Sequence, residues 1–118
     1  MKKIALIMDG WKRFFTYAWP AGILQRIKET GEDVNLYIFN SSGDWSLDDD
    51  YNIGEYNIYS LPNLSDFDGI ILDTNNIRYP DVSKRIIEAA KKTGKPVISI
   101  AKEIEDFYYA VSYTHLTL

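Results

Sequence analysis

The sequence predicts an α/β fold, a three-layer α-β-α sandwich built on a mostly parallel, doubly wound sheet. Three observations carry this. Residues 4–8, Ile-Ala-Leu-Ile-Met, form an unbroken apolar run, which suits a strand buried on both faces. That run stops abruptly at Asp9-Gly10, a turn signal at the carboxyl end of the strand. Further short apolar runs recur at 34–39, 69–72 and 97–100, with helix-spaced segments between two pairs of them. Alternation of that kind argues parallel strands joined by right-handed crossovers.

Taken in order, the first strand leads into an aromatic-rich stretch, WKRFFTYAWP. A helix is expected from about Thr16 as N-cap, with Pro20 in its early turns and Ile23, Leu24 and Ile27 as its apolar stripe. Gly31 is the expected stop. VNLYIF at 34–39 alternates in part and reads as a less central strand. Residues 40–64 are the least regular; SSGDWSLDDD is a loop by composition, and residues 57–61 suit a short helix or an edge strand equally. GIIL at 69–72 is the third strand. Asp81 is the expected N-cap of a helix carrying Val82, Ile86, Ala89 and Ala90 on one face, with Lys91, Lys92 and Lys95 toward its C-terminal end and Gly94 as its stop. VISI at 97–100 is the fourth strand, residues 102–106 a polar connection, and FYYAV at 107–111 a fifth strand.

Composition narrows the function. Asp plus Glu total 17 against 13 Lys plus Arg, a net charge of −4, so no basic footprint for nucleic acid is expected. The absence of cysteine excludes disulfides and thiolate metal sites and suits a reducing compartment. The first apolar run is too short for a signal-peptide core or a membrane span, and the expected location is cytoplasmic.

Four strand ends lie along one edge of such a sheet: Asp9-Gly10-Trp11, Asn40-Ser41-Ser42, Asp73-Thr74-Asn75-Asn76 and Ala101-Lys102-Glu103. In open α/β sheets that edge is where ligands bind. Carboxylates, amides, hydroxyls and an ammonium beside Trp11, Phe14, Phe15 and Tyr17 make a plausible small-molecule pocket, sugar-like ligands in particular. The competing reading is structural, with Asp9 and Asp73 as turn formers and the aromatics as core. A sharper alternative is a response-regulator receiver with Asp73 as phospho-acceptor. Against it, one acid rather than an adjacent pair follows the first strand, and no Met-Pro follows Asp73. A third reading is a flavodoxin-like cofactor binder.

Catalysis is not expected. The single histidine, His115, lies in the C-terminal tail, so no Ser-His-Asp arrangement forms. Neither a G-x-G-x-x-G fingerprint nor a phosphate-binding glycine loop is present. Asp48-Asp49-Asp50 lacks the spacing of a calcium loop and reads as a solvated acidic segment. No metal and no cofactor is expected.

KKIALIMDGW with FFTYAWPAGILQRIKETGEDVNLYIFNSS, then FDGIILDTNN, then KPVISIAKEIEDFYYAVS, resembles the first lobe of type I periplasmic-binding-protein-like sensor domains. These are the ligand domains of the lactose-repressor family of transcription regulators. The chain is most similar to the variant at the N-terminus of diguanylate cyclases with a C-terminal GGDEF domain in gut Firmicutes. The resemblance assigns residues 1–112 to the N-terminal lobe, while YTHLTL at 113–118 matches nothing in the family and resembles adapter read-through, a non-native tail. It implies a binding module rather than an enzyme, with a second lobe and an output domain as partners, and no membrane or direct nucleic-acid contact from this segment. By the resemblance, ligand contacts come from Asp9, Trp11, Phe14, Phe15, Asp73, Asn75 and Lys102. It also implies a homodimer contact through Ile23 and Ile27 or part of the aromatic cluster.

Overall fold

In the computed structural model the chain is described over residues 1–10, 14–41, 47–74 and 77–110, and for residues 14–17 and 49 through the backbone alone. Five parallel strands form one sheet in the order β2-β1-β3-β4-β5. They are β1 (Lys2–Asp9), β2 (Val34–Ser41), β3 (Gly69–Leu72), β4 (Val97–Ile100) and β5 (Tyr108–Ala110). The α/β class expected from the apolar runs is therefore what forms, with every strand pair parallel.

β1 runs between β2 and β3, and its residues Ala5 to Asp9 are all buried. That explains the unbroken apolar run, since both faces of the strand are covered. β2 is an edge strand, and its weaker pattern matches its mixed burial. Register pairs Ala5 with Tyr37 and Ile70, and Ile7 with Phe39 and Leu72. Successive side chains alternate between faces, so Ala5, Ile7, Ile70, Leu72 and Val97 share one face. They meet Tyr56, Tyr59, Leu64, Phe67, Val82, Ile86 and Ala90 in a single core cluster. Phe67 sets its ring edge-on to Tyr37 and Phe39, at centroid distances of 5.4 and 6.0 Å, and closes the core under β2. The right-handed crossover usual for parallel strands puts α1 (Phe14–Thr30) on the opposite face, where Leu6 and Met8 are buried.

Several elements differ from expectation. α1 begins at Phe14, not Thr16, so Pro20 lies in the helix interior rather than its early turns. Leu24 is 50% exposed, while Ile23 and Ile27 are half-buried, so the apolar stripe is narrower than the spacing implies. Residues 40–64 resolve the open choice in favour of helix: α2 (Asp49–Glu55) runs into a 3-10 helix, Tyr56–Ser60. Asp48 is the N-cap of α2, accepting from the Asp50 amide at 3.0 Å, so part of the acidic segment starts a helix instead of lying in a loop. α3 (Pro80–Lys92) takes Tyr79 as its N-cap position with Pro80 first, which leaves Asp81 in the first turn. Its buried face is Val82, Ser83, Ile86 and Ala90, and Ala89 is exposed. Gly31 and Gly94 close α1 and α3 at φ of 70° and 68°, the left-handed geometry that glycine adopts without strain.

β4 and β5 are parallel, yet the connection between them, 101–107, holds no helix. Parallel crossovers ordinarily need about a dozen residues or more. The chain makes this short one with two non-glycine residues in the left-handed region, Ala101 (φ 64°) and Asp106 (φ 72°). The Ala101 amide donates to the Ala110 carbonyl at 2.7 Å, and the Ser99 hydroxyl to the Lys102 carbonyl at 2.5 Å. Among the described residues no helix is long and apolar enough to cross a membrane.

Candidate functional site

The strand order reverses at β1, between β2 and β3, so the carboxyl ends of β1 and β3 flank the topological switch point where doubly wound sheets bind ligands. At that edge β1 ends on Asp9 and turns at Gly10, whose φ of 96° an L side chain rarely tolerates. The Gly10 amide donates to the Ser41 carbonyl at 3.2 Å, and the Asn40 side-chain amide donates to the Gly10 carbonyl at 3.1 Å. The turn after β1 is thus held to the end of β2 from both sides.

Register places Ser41 directly opposite Asp9. Continued past Ile7–Leu72, the β1–β3 register brings Thr74 opposite Asp9 on its other side. Ser41, Asp9 and Thr74 therefore form a row on one sheet face, each at most 2% exposed. Asp73, one residue earlier on β3, faces the other way and is 5% exposed, and its amide donates to the Ile7 carbonyl at 2.7 Å.

A buried carboxylate is tolerated when its oxygens accept strong hydrogen bonds. Asp9 meets this condition. Ser41 donates its hydroxyl to Oδ1, and Tyr56 donates its phenol to Oδ2 at 3.4 Å. Tyr59 donates to the Met8 carbonyl at 2.5 Å. Burial pushes the Tyr59 phenol well above its ordinary value; the charge of Asp9 pushes the same way, and hydrogen bonding with Ser41 opposes both. Tyr59 is therefore a neutral donor throughout the physiological range.

These tyrosines come from the 3-10 helix. With three residues per turn, positions i and i+3 eclipse, so Tyr56 and Tyr59 stack on one side, 5.9 Å apart and 20° from parallel. Tyr79 meets Tyr56 edge-on at 5.8 Å, and its hydroxyl accepts from the fully buried Asn52 at 3.4 Å. Arg78 lies 5.5 Å from the centroid of the Tyr79 ring. This tyrosine wall was not anticipated from sequence, although the i, i+3 spacing in GEYNIYS is its signature.

Two buried polar atoms among the described residues lack a hydrogen-bond partner: Asn40 Oδ1 and Thr74 Oγ1. Both sit at this edge, on the strands that flank β1. Unpaired buried polar atoms are costly and uncommon in native structures. Both unpartnered atoms lie near the switch point of the sheet.

Of the sequence-predicted site residues, Asp9 and Asp73 are brought to neighbouring strand ends. Lys102 is not brought to them. It follows β4, is exposed, and borders a groove beside α3. Trp11 and Asn75 lie outside the described residues, and Phe14 and Phe15 are described only as backbone in the first turn of α1. Among the described residues no three acidic, histidine or cysteine side chains gather where a metal ion would be held. No protein-family model and no curated protein matches this chain.

Proposed function

We propose that this chain is the ligand-binding lobe of a small-molecule sensor, taking a hydroxyl-rich, sugar-like ligand and regulating an appended output domain. The resemblance to lactose-repressor-type sensor lobes motivates the output, diguanylate cyclase signalling or transcription regulation. One observation carries the ligand class. Asn40 Oδ1 and Thr74 Oγ1 are unpartnered and buried at the strand ends flanking β1, Asn40 beside Met8 and Thr74 beside Asp9, on opposite faces of the sheet. An amide oxygen accepts and a hydroxyl donates or accepts. A ligand hydroxyl satisfies either one. Binding there stabilises the closed arrangement of such a lobe with its partner lobe, and the difference in affinity between open and closed states is what shifts the output.

The receiver reading shares this strand order and places Asp73 at the end of β3. It calls for an accessible phospho-acceptor with further acids around it. Asp73 is 5% exposed, as buried as the polar groups the sensor reading uses, so the titration below is what separates the two readings.

The test follows backbone amide resonances of Asp9, Gly10, Ser41, Asp73 and Thr74. The protein is titrated with a panel of neutral monosaccharides and, separately, with acetyl phosphate and magnesium. The sensor reading expects one or more saccharides to move this set. Movement of Asp73 with acetyl phosphate, lost in Asp73→Asn, would establish the receiver instead.

A further inference from the structure

The helix-free β4–β5 connection has a consequence on the α3 side of the sheet. Each crossover of a doubly wound sheet ordinarily lays a helix on one face. Among the described residues α3 has no helix beside it on its β5 flank, and a groove of about 470 Å³ opens there. Its floor is apolar: Ile77 is 9% exposed, and Ile87 is half-buried against the core. Pro80, Lys84, Ile87 and Lys91 follow one another at helical spacing along this wall. The wall therefore runs the length of α3, about 20 Å at 1.5 Å per residue.

The rim is cationic. Lys84, Lys91 and Lys102 border the groove against the single acid Glu88, in a chain whose net charge is −4. All three lysines are exposed, and none takes part in an ion pair among the described residues. Lys91 stands 5.8 Å from the centroid of the Phe107 ring at the β5 end. We propose that this groove is a docking surface for an acidic amphipathic helix of a partner protein, which lies beside α3 in the place a fourth sheet helix would occupy. The apolar floor takes the helix's apolar stripe, and the lysine rim takes carboxylates along its flank. Helix-in-groove recognition reads anchors at i, i+3/i+4 and i+7, matching the spacing of this wall. Charge complementarity sets the sign of the partner.

The probe is a fluorescent amphipathic peptide of about 14 residues, long enough to span α3. It carries leucines on one face and glutamates on the flanks. A control peptide has lysines in place of the glutamates. Fluorescence anisotropy is measured on the full chain, on Lys84→Glu/Lys91→Glu, and on Lys102→Glu, with circular dichroism to establish that each variant is folded. The acidic peptide is expected to bind the native chain, to weaken as salt rises, and to lose about tenfold or more in affinity in the double variant. Lys102→Glu is expected to weaken it to a lesser degree, and the basic peptide is expected not to bind. Equal binding of the two peptides, or affinity unchanged in both variants, would overturn the proposal. So would two reassignments: a self-association seen by sedimentation that the double variant abolishes, or binding to phosphatidylserine vesicles without binding of the peptide.

Discussion

At the scale of single residues, the edge of the sheet turns on how Asp9 survives burial. Its carboxylate is 1% exposed and accepts from Ser41 and Tyr56. Removing one donor leaves the charge under-solvated, so Ser41→Ala is expected to cost about 1–3 kcal/mol in urea unfolding. A loss within about 0.5 kcal/mol, the size of an ordinary surface substitution, would show that the Ser41 bond does not support Asp9. Tyr59 gives a pH signature of known sign. Its folded pKa is raised chiefly by burial, so the native state keeps the proton when the unfolded phenol sheds it. The contribution is fully present below about pH 10 and is lost as pH rises further, at up to about 1.4 kcal/mol per pH unit. Urea midpoints at several pH values above 9 should therefore fall more steeply in the native chain than in Tyr59→Phe. Parallel slopes would contradict the burial of that proton.

At the scale of elements, the strands and the glycine stops of α1 and α3 were legible and the N-caps were not. β3 and β4 fall where GIIL and VISI predict them, because apolar β-branched runs of this length suit strands of a parallel sheet, although Ile98 of β4 is itself exposed. α1 and α3 start at residues other than the expected caps, since local signals at Thr16 and Asp81 compete with where the chain meets the sheet. The tyrosine wall escaped because its period is three, not 3.6 or two, and an apolar pattern search sees neither strand nor helix there. Of the candidate site, the position of Asp9 at the carboxyl edge of the sheet was readable from topology. The unpaired atoms of Asn40 and Thr74 were not, since pairing is a property of the folded chain. The β4–β5 connection carries its own prediction. Ala101 holds φ 64°, where an L side chain costs about 1–2 kcal/mol, and glycine's extra chain entropy offsets part of that. Ala101→Gly is expected to stabilise the fold by about 0.5–1 kcal/mol. Destabilisation would mean the left-handed turn is not the populated one.

At the scale of the whole molecule, the two faces of the sheet are unequally covered. The α3 face holds the core cluster, whereas on the α1 face Ile38 and Ile98 are 42% and 38% exposed. Replacing both with threonine is expected to lower native-state binding of a hydrophobic dye while shifting the melt by only a few degrees. Unchanged dye binding would place the exposed apolar surface elsewhere. The central claim is that the switch-point edge is shaped for a ligand, and Thr74 separates that claim from a structural role. Its hydroxyl is buried and unpartnered, so exchanging it for a methyl of similar shape removes a burdensome polar atom. The most direct measurement pairs urea unfolding with monosaccharide titration on Thr74→Val. The account predicts a variant more stable by about 1 kcal/mol and a saccharide affinity reduced about tenfold, by loss of one hydrogen bond to the ligand. A destabilised variant that binds as tightly as the native chain, or a native chain that binds no saccharide, would contradict it.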